Sequence, residues 1–153
     1  MTTEDVVAAV AAIAAEERDL AERAGRIAGV IRDFGRYRWV GVYEVTEVEV
    51  AILGYAGPGA PAFPRFPRTK GLTAAAIATG QAVVVDDVTS DPRYLTAFGS
   101  TRSEMIVPVA GADGTTVVGT IDVESDQVAA FGTEERQLVE RLARAILPLY
   151  TLH

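Results

Sequence analysis

The chain of 153 residues contains no cysteine. Without a thiol it can form no disulfide, hold no metal through a thiolate and carry no cysteine nucleophile. Its only histidine is His153, the last residue. A terminal side chain of this kind is commonly solvated, so serine–histidine triads, haem ligation and histidine-based zinc sites are also excluded. The sequence therefore lacks most of the side chains that common catalytic sites use.

Basic residues and long apolar runs are scarce as well. The net charge is −7 and the basic residues are scattered, which argues against a nucleic-acid-binding surface. No apolar run approaches the roughly 18 to 20 residues of a membrane-spanning helix. The N-terminus carries early acids instead of the basic head of a signal peptide. We therefore expect one cytoplasmic globular domain that binds neither nucleic acid nor membrane.

Apolar residues near the N-terminus follow a helical spacing. A first series of apolar residues includes Val6 and Val10. The spacing breaks at Glu17, and a second apolar series ends at Phe34. The spacing alternates between four and three residues, as in the seam of a coiled coil. The pattern predicts a long helix, with residues 1–26 as an N-terminal extension. This helix either packs on its own domain or pairs with a second subunit.

Short valine-rich runs predict strands in the rest of the chain. The first two are joined through Thr46 as a hairpin, and three more follow; the runs are 38–45, 47–55, 81–88, 104–111 and 115–125. A proline-rich loop, a short helix closed by Gly80 and a last helix capped by Thr133 complete the pattern. The predicted class is α+β. A central antiparallel sheet of five to six strands would carry the terminal helices on one face, with loops and short helices over the other.

Three carboxylates interrupt the strands that look most buried. Glu104 precedes "MIVPV", and Asp122 and Glu124 alternate with apolar residues in "GTIDVESD". Side chains two apart share a face of a strand, so Asp122 and Glu124 point the same way, and a neighbouring strand would bring Glu104 to them. Like charges this close raise each other's pKa unless a cation joins them, and a ligand ammonium group is the natural partner. The alternative is that these acids cap strand ends and face water.

Two aromatic residues are candidates for the walls of the same pocket. Trp39 and Tyr43 are four apart in a predicted strand and share a face, where they either stack on a ligand or belong to the core. Ser103 has no base beside it that would make it a nucleophile. The candidate ligand-binding set is therefore Trp39, Tyr43, Glu104, Asp122 and Glu124, with no catalytic residue, metal or cofactor predicted.

Several motifs taken together resemble a GAF domain, over about residues 27–147. Within that family the pattern is most similar to the free methionine-(R)-sulfoxide reductases. The matching positions are Trp39, Gly41 and Tyr43 in the first strand, Ser103, Glu104 and Pro108 in a later one, Asp122, Glu124 and Ser125 at a strand end, and Phe131, Thr133, Glu134 and Glu135 at the last helix. Glu124 stands where the family has aspartate. The resemblance implies that the acids hold an amino acid and its sulfoxide, and that the terminal helices form a homodimer.

The chain departs from those reductases at their cysteines. By alignment the family's thiols would fall near Phe63, at Thr73 and near Ala97, and none of these is cysteine. Reducing a sulfoxide requires a thiolate and a resolving thiol. We therefore expect a non-catalytic, sensor-type GAF domain spanning residues 1–153, with a pocket for an amino-acid-like or other small polar ligand. The alternatives are a divergent sulfoxide reductase and a dimerisation module with a vestigial pocket.

Overall fold

The computed structural model describes residues 1–95 and 98–151, so the predictions made for Ala97 and His153 lie outside the described residues. Five α-helices, six strands and one 3-10 turn at Val88–Ser90 make up this part of the chain, and the helices and strands are numbered below. In chain order they are α1 (Thr3–Ala14), α2 (Leu20–Gly35), β1 (Trp39–Val45), β2 (Glu49–Ala56), β3 (Arg65–Pro67), α3 (Gly71–Thr79), β4 (Val83–Val85), β5 (Ser103–Ala110), β6 (Val117–Ser125), α4 (Thr133–Ala145) and α5 (Pro148–Thr151).

The strands form one antiparallel sheet in the order β3-β2-β1-β6-β5-β4. Alternate side chains of its central strands pack with α1, α2 and α4 into the main core; these include Val40, Val42, Met105, Val107, Ile121 and Val123. The opposite face carries the proline-rich loop and α3 over smaller clusters around Trp39 and Leu72. The predicted α+β architecture, with helices on one face and loops on the other, is confirmed.

The single N-terminal helix predicted over residues 1–26 is wrong, because the chain breaks between α1 and α2. Asp19 caps the second helix by accepting a hydrogen bond from the Glu22 amide. The buried Arg23 guanidinium spans the break, donating to the carbonyl oxygens of Ala14 and Arg18, both at 2.9 Å. The break lets α2 pack on the strands β1 and β2 while α1 packs against α2 and α4, which one straight helix could not do.

The apolar seam of α1 is used inside its own chain. Val6 and Val10 are fully buried in the main core. The seam therefore needs no second subunit to cover it. Pairing of the terminal helices with another copy stays a prediction. Within the described part of the chain, none of the helices combines the length and apolar character needed to cross a bilayer.

Element ends differ from the sequence pattern in a few places. The cap of α4 is Gly132 and not Thr133, and the Gly132 amide donates to Glu135 Oε2 at 2.8 Å. β4 has only three residues, and the short edge strand β3 lies inside the predicted loop. Gly80 ends α3 with a left-handed φ of 68°, as predicted.

Candidate functional site

The three predicted acids come together on the sheet face that carries the loops. β5 and β6 pair so that Glu104 lies directly opposite Glu124. Asp122 comes two residues before Glu124 in β6 and lies on the same face. All three are buried, with exposed fractions of 5%, 8% and 1% for Glu104, Asp122 and Glu124. One oxygen from each carboxyl group lies within 4.8 Å of the others. A single cationic group could therefore contact all three.

Burial without a counter-ion favours the neutral forms of these three carboxyl groups. Within residues 1–95 and 98–151, no ion pair reaches any of the three acids. Burial, followed by repulsion from Asp122, raises the pKa of Glu104 well above its usual range. Burial also raises the pKa of Asp122 to about 6 and that of Glu124 to about 8. Of the three groups, Asp122 therefore gives up its proton most readily, and Glu104 and Glu124 hold theirs more tightly.

Hydrogen bonds stabilise this division of protons and charge. Glu104 shares a hydrogen bond with Asp122 that raises the pKa of Glu104 and lowers that of Asp122. Oδ1 of Asp122 makes no hydrogen bond within the described residues. The site thus has a proton donor, an anionic acceptor and remaining capacity for polar contacts, which is an arrangement that can recognise a zwitterionic molecule.

A cavity lies over the acids. It is lined by Glu104, Asp122 and the Tyr43 ring, and by side chains from the proline-rich loop, α3 and Leu95. Its volume is about 30 Å³, which holds water-sized groups but not an amino acid. Binding a larger molecule therefore requires the covering side chains to move. Phe63 is 45% exposed and belongs to this cover.

Trp39 and Glu124 do not line this cavity. The Trp39 indole donates to the Gly59 carbonyl at 3.0 Å and packs 5.4 Å from the Phe98 ring, centroid to centroid, so it holds the proline-rich loop against the sheet. Glu124 lies behind the other acids and accepts a hydrogen bond from the Thr101 hydroxyl at 2.6 Å. Ligand contact by the five predicted residues stays a prediction. The structure brings three of them to the cavity and places two beside it.

Sequence reasoning missed several residues of the site. Thr101 comes just before β5 and belongs to no apolar pattern in the sequence. Only the fold shows that its hydroxyl contacts Glu124. Phe63 and Thr73 were noted merely as positions without cysteine, yet both line the cavity. Ser103 binds the loop after β6 instead of the cavity, because its hydroxyl donates a hydrogen bond to the Gln127 carbonyl at 2.6 Å.

Comparison with known proteins gives consistent matches. A GAF domain profile matches residues 14–147. The free methionine-R-sulfoxide reductase of Saccharomyces cerevisiae is 32% identical over 111 residues, which is 71% of this chain but only 60% of that protein. The chain therefore spans less than two thirds of the length of this relative.

Solved structures give the same picture. The free methionine-R-sulfoxide reductase from Neisseria meningitidis, in complex with its substrate, superposes with a TM-score of 0.85 at 26% identity, over 97% of this chain and 88% of that one. The type II free methionine-R-sulfoxide reductase from Thermoplasma acidophilum gives a TM-score of 0.77 at 29% identity, over 88% of this chain and 96% of that one.

These similarities correct one expectation drawn from the sequence. The prediction that the protein is not an enzyme is wrong, because the yeast relative and the two solved structures above are enzymes named for a reductase activity. The missing cysteines limit which groups of this chain can take part in chemistry. The similarity to these reductases nevertheless extends over 97% of this chain in the Neisseria meningitidis structure.

Proposed function

Because the chain belongs to the GAF domain family, we propose that its cavity binds free methionine-(R)-sulfoxide or a close analogue, and that the protein reduces it with thiols from a second molecule. The observation that carries the proposal is the buried acid pair Glu104 and Asp122 on the cavity floor. One acid holds a proton and the other a charge, in a cavity with apolar walls. The relatives named as reductases of this compound support the choice of ligand.

Each part of the ligand has a matching group. The ionised Asp122 carboxylate pairs with the ammonium group, since opposite charges attract strongly where water is excluded. The protonated Glu104 carboxyl donates a hydrogen bond to the sulfoxide oxygen. The Tyr43 ring and the apolar loop side chains pack against the thioether portion. A free amino acid fits this arrangement better than a residue within a peptide, which has no ammonium group.

The reaction balances with two external thiols. A thiol sulfur attacks the sulfoxide sulfur while the acid protonates the sulfoxide oxygen. The methionine sulfur–oxygen bond breaks as this oxygen passes to the attacking sulfur, so that a sulfenic acid forms and methionine leaves as the thioether. The second thiol then attacks the sulfenic acid sulfur, the oxygen leaves as water and a disulfide forms. Two thiols and one sulfoxide become one disulfide, one thioether and one water. The enzyme's residues bind the ligand, orient its sulfoxide and transfer the proton to oxygen.

The proposal is tested by a turnover assay with purified protein. Free methionine-(R)-sulfoxide and its (S) diastereomer are incubated with dithiothreitol, and separately with a thioredoxin system, and methionine is quantified by chromatography. We expect turnover of the (R) form well above the protein-free rate. Glu104→Gln should lose most of it, whereas Glu134→Gln on the exposed face of α4 should not. Rates equal to the protein-free blank with both thiol sources would contradict the proposal.

A further inference from the structure

Thr101 and Glu124 connect the acid pair to a second surface feature. Thr101 is 4% exposed, and its hydroxyl donates to Glu124 Oε1 at 2.6 Å in a buried hydrogen bond. The Tyr94 hydroxyl also stabilises the ionised form of Glu124 and so lowers its pKa. Glu124 in turn has an oxygen within 4.8 Å of oxygens of Glu104 and Asp122. A hydrogen bond therefore joins the Thr101 hydroxyl to Glu124, and an oxygen of Glu124 lies within 4.8 Å of oxygens of the pair on the cavity floor.

The two residues whose hydroxyl groups lie beside Glu124 also line a groove at the protein surface. Thr101 and Tyr94 line a groove of about 370 Å³, which we term the outer groove; its other described lining residues include Val88, Thr89, Phe98 and Gly99. Glu124 lines neither the outer groove nor the cavity. It occupies the position between the two linings. A buried acid with an exchangeable proton and neighbours on both sides can transmit protons from one to the other.

A bound ligand creates the need for such a connection. Glu104 and Asp122 are already at least nine-tenths buried, and a molecule in the cavity would cover their remaining exposed surface. While the product still occupies the cavity, it separates Glu104 from water at the cavity mouth. A replacement proton that arrives before the product leaves comes from behind the acid pair, where Glu124 lies.

We propose that Thr101 and Glu124 form a proton path from the outer groove to the acid pair on the cavity floor. The path rests on the proposed reductase function. In each turnover a proton moves from Glu104 to the sulfoxide oxygen, Glu124 reprotonates the pair, and groove water reprotonates Glu124 through the Thr101 hydroxyl. The first thiol releases its proton to solvent outside the cavity and the path returns one proton in its place, while the proton of the second thiol leaves in the water that is formed. The titratable groups facing Glu124 are Glu104, Asp122, Tyr43 and Tyr94.

Thr101 is thus a positioning residue, and a pair of variants separates its hydroxyl from its shape. Thr101→Val keeps the side-chain volume and removes the hydroxyl, while Thr101→Ser keeps the hydroxyl. With the (R)-sulfoxide and dithiothreitol, we expect Thr101→Val to lower kcat by about tenfold with KM unchanged, a loss at the low end of those seen when acid–base groups are removed. Its solvent deuterium isotope effect should rise, and Thr101→Ser should behave like the wild type.

Other outcomes would overturn the path. A Thr101→Val enzyme with kcat within about twofold of the wild type, or with KM raised in step with the fall in kcat, contradicts it. If Thr101→Val does not fold, Glu124→Gln provides the second measurement and should also lower kcat with KM retained. A wild-type protein without turnover would instead refute the reductase function. A wild type with turnover and unimpaired variants refutes only the path.

Discussion

Gly25 in α2 and Gly54 in β2 lie so close that the helix backbone rests on the strand backbone. A Cβ on Gly54 would lie 2.7 Å from the Ala24 carbonyl carbon and 2.8 Å from the Gly25 Cα. The same atom on Gly25 would meet nothing within 4 Å. Glycine is therefore required on the strand side of this contact and not on the helix side.

Substitution of these two glycines should change stability in opposite directions. Gly54→Ala overpacks a backbone contact and should lower the free energy of unfolding by about 2 kcal/mol. Gly25→Ala has room for its methyl group and should raise it by about 1 kcal/mol through helix propensity. Urea denaturation of both variants measures these values. A stable Gly54→Ala protein would show that the helix does not approach the strand this closely.

The buried acids should make the fold less stable as pH rises. The pKa of Glu124 is about 8 in the folded protein against an ordinary 4.5, so the folded state holds this proton more tightly than the unfolded state. The resulting stabilisation is complete below about pH 4.5 and is lost as pH increases towards 8. The melting temperature should therefore fall between about pH 5 and about pH 8, and the slope should be shallower in Glu124→Gln.

The acid with the most strongly lowered pKa does not oppose this fall in stability. Asp113, whose pKa is lowered to about 2 by hydrogen bonds from Thr116 and Thr115, is ionised throughout it. The exposed Glu134→Gln variant serves as the surface control and should keep the wild-type slope. A melting temperature that is constant or rises across the window would mean that the acids are not held in their neutral forms.

The absence of native cysteine allows the cavity to be footprinted with one introduced thiol. Thr73 lines the cavity and is 6% exposed, whereas Ala78 lies on the exposed end of α3. Iodoacetamide should modify Thr73→Cys slowly, and free methionine-(R)-sulfoxide should slow it further by covering the site. Modification of Ala78→Cys should be fast and insensitive to the ligand. Mass spectrometry follows both reactions, and equal protection of the two thiols would argue against binding in the cavity.

Helix α5 stabilises strand β1, whose Tyr43 ring lines the cavity. The Tyr150 hydroxyl donates to the Tyr43 carbonyl at 2.7 Å, beside the register shift between β1 and β2. Tyr150→Phe should lower the free energy of unfolding by about 1 kcal/mol, because a part-buried hydrogen bond is lost. Tyr55→Phe, at a ring that is 40% exposed, is the matched control and should have little effect. Equal denaturation midpoints for Tyr150→Phe and the wild type would contradict this role.

The fold class was predictable because local patterns carry it. Alternation of apolar and acidic residues in β6 places Ile121 and Val123 on one face and Asp122 and Glu124 on the other, whatever the strand pairs with. The break between α1 and α2 was only partly predictable. The apolar spacing is interrupted at Glu17, but the spacing alone does not show that the chain turns there. The hydrogen bond from Arg23 to the Ala14 carbonyl shows the turn.

By itself, the sequence determined that no thiol chemistry resides in this chain and that Asp122 and Glu124 share a strand face, because composition and the two-residue strand period are local properties. Only the tertiary structure decided that Glu104 lies opposite Glu124, that Thr101 contacts the latter, and that Phe63 and Thr73 line the same cavity. These relationships join distant segments through sheet register and loop packing. Register depends on how whole faces of the sheet are buried, and no single segment encodes it.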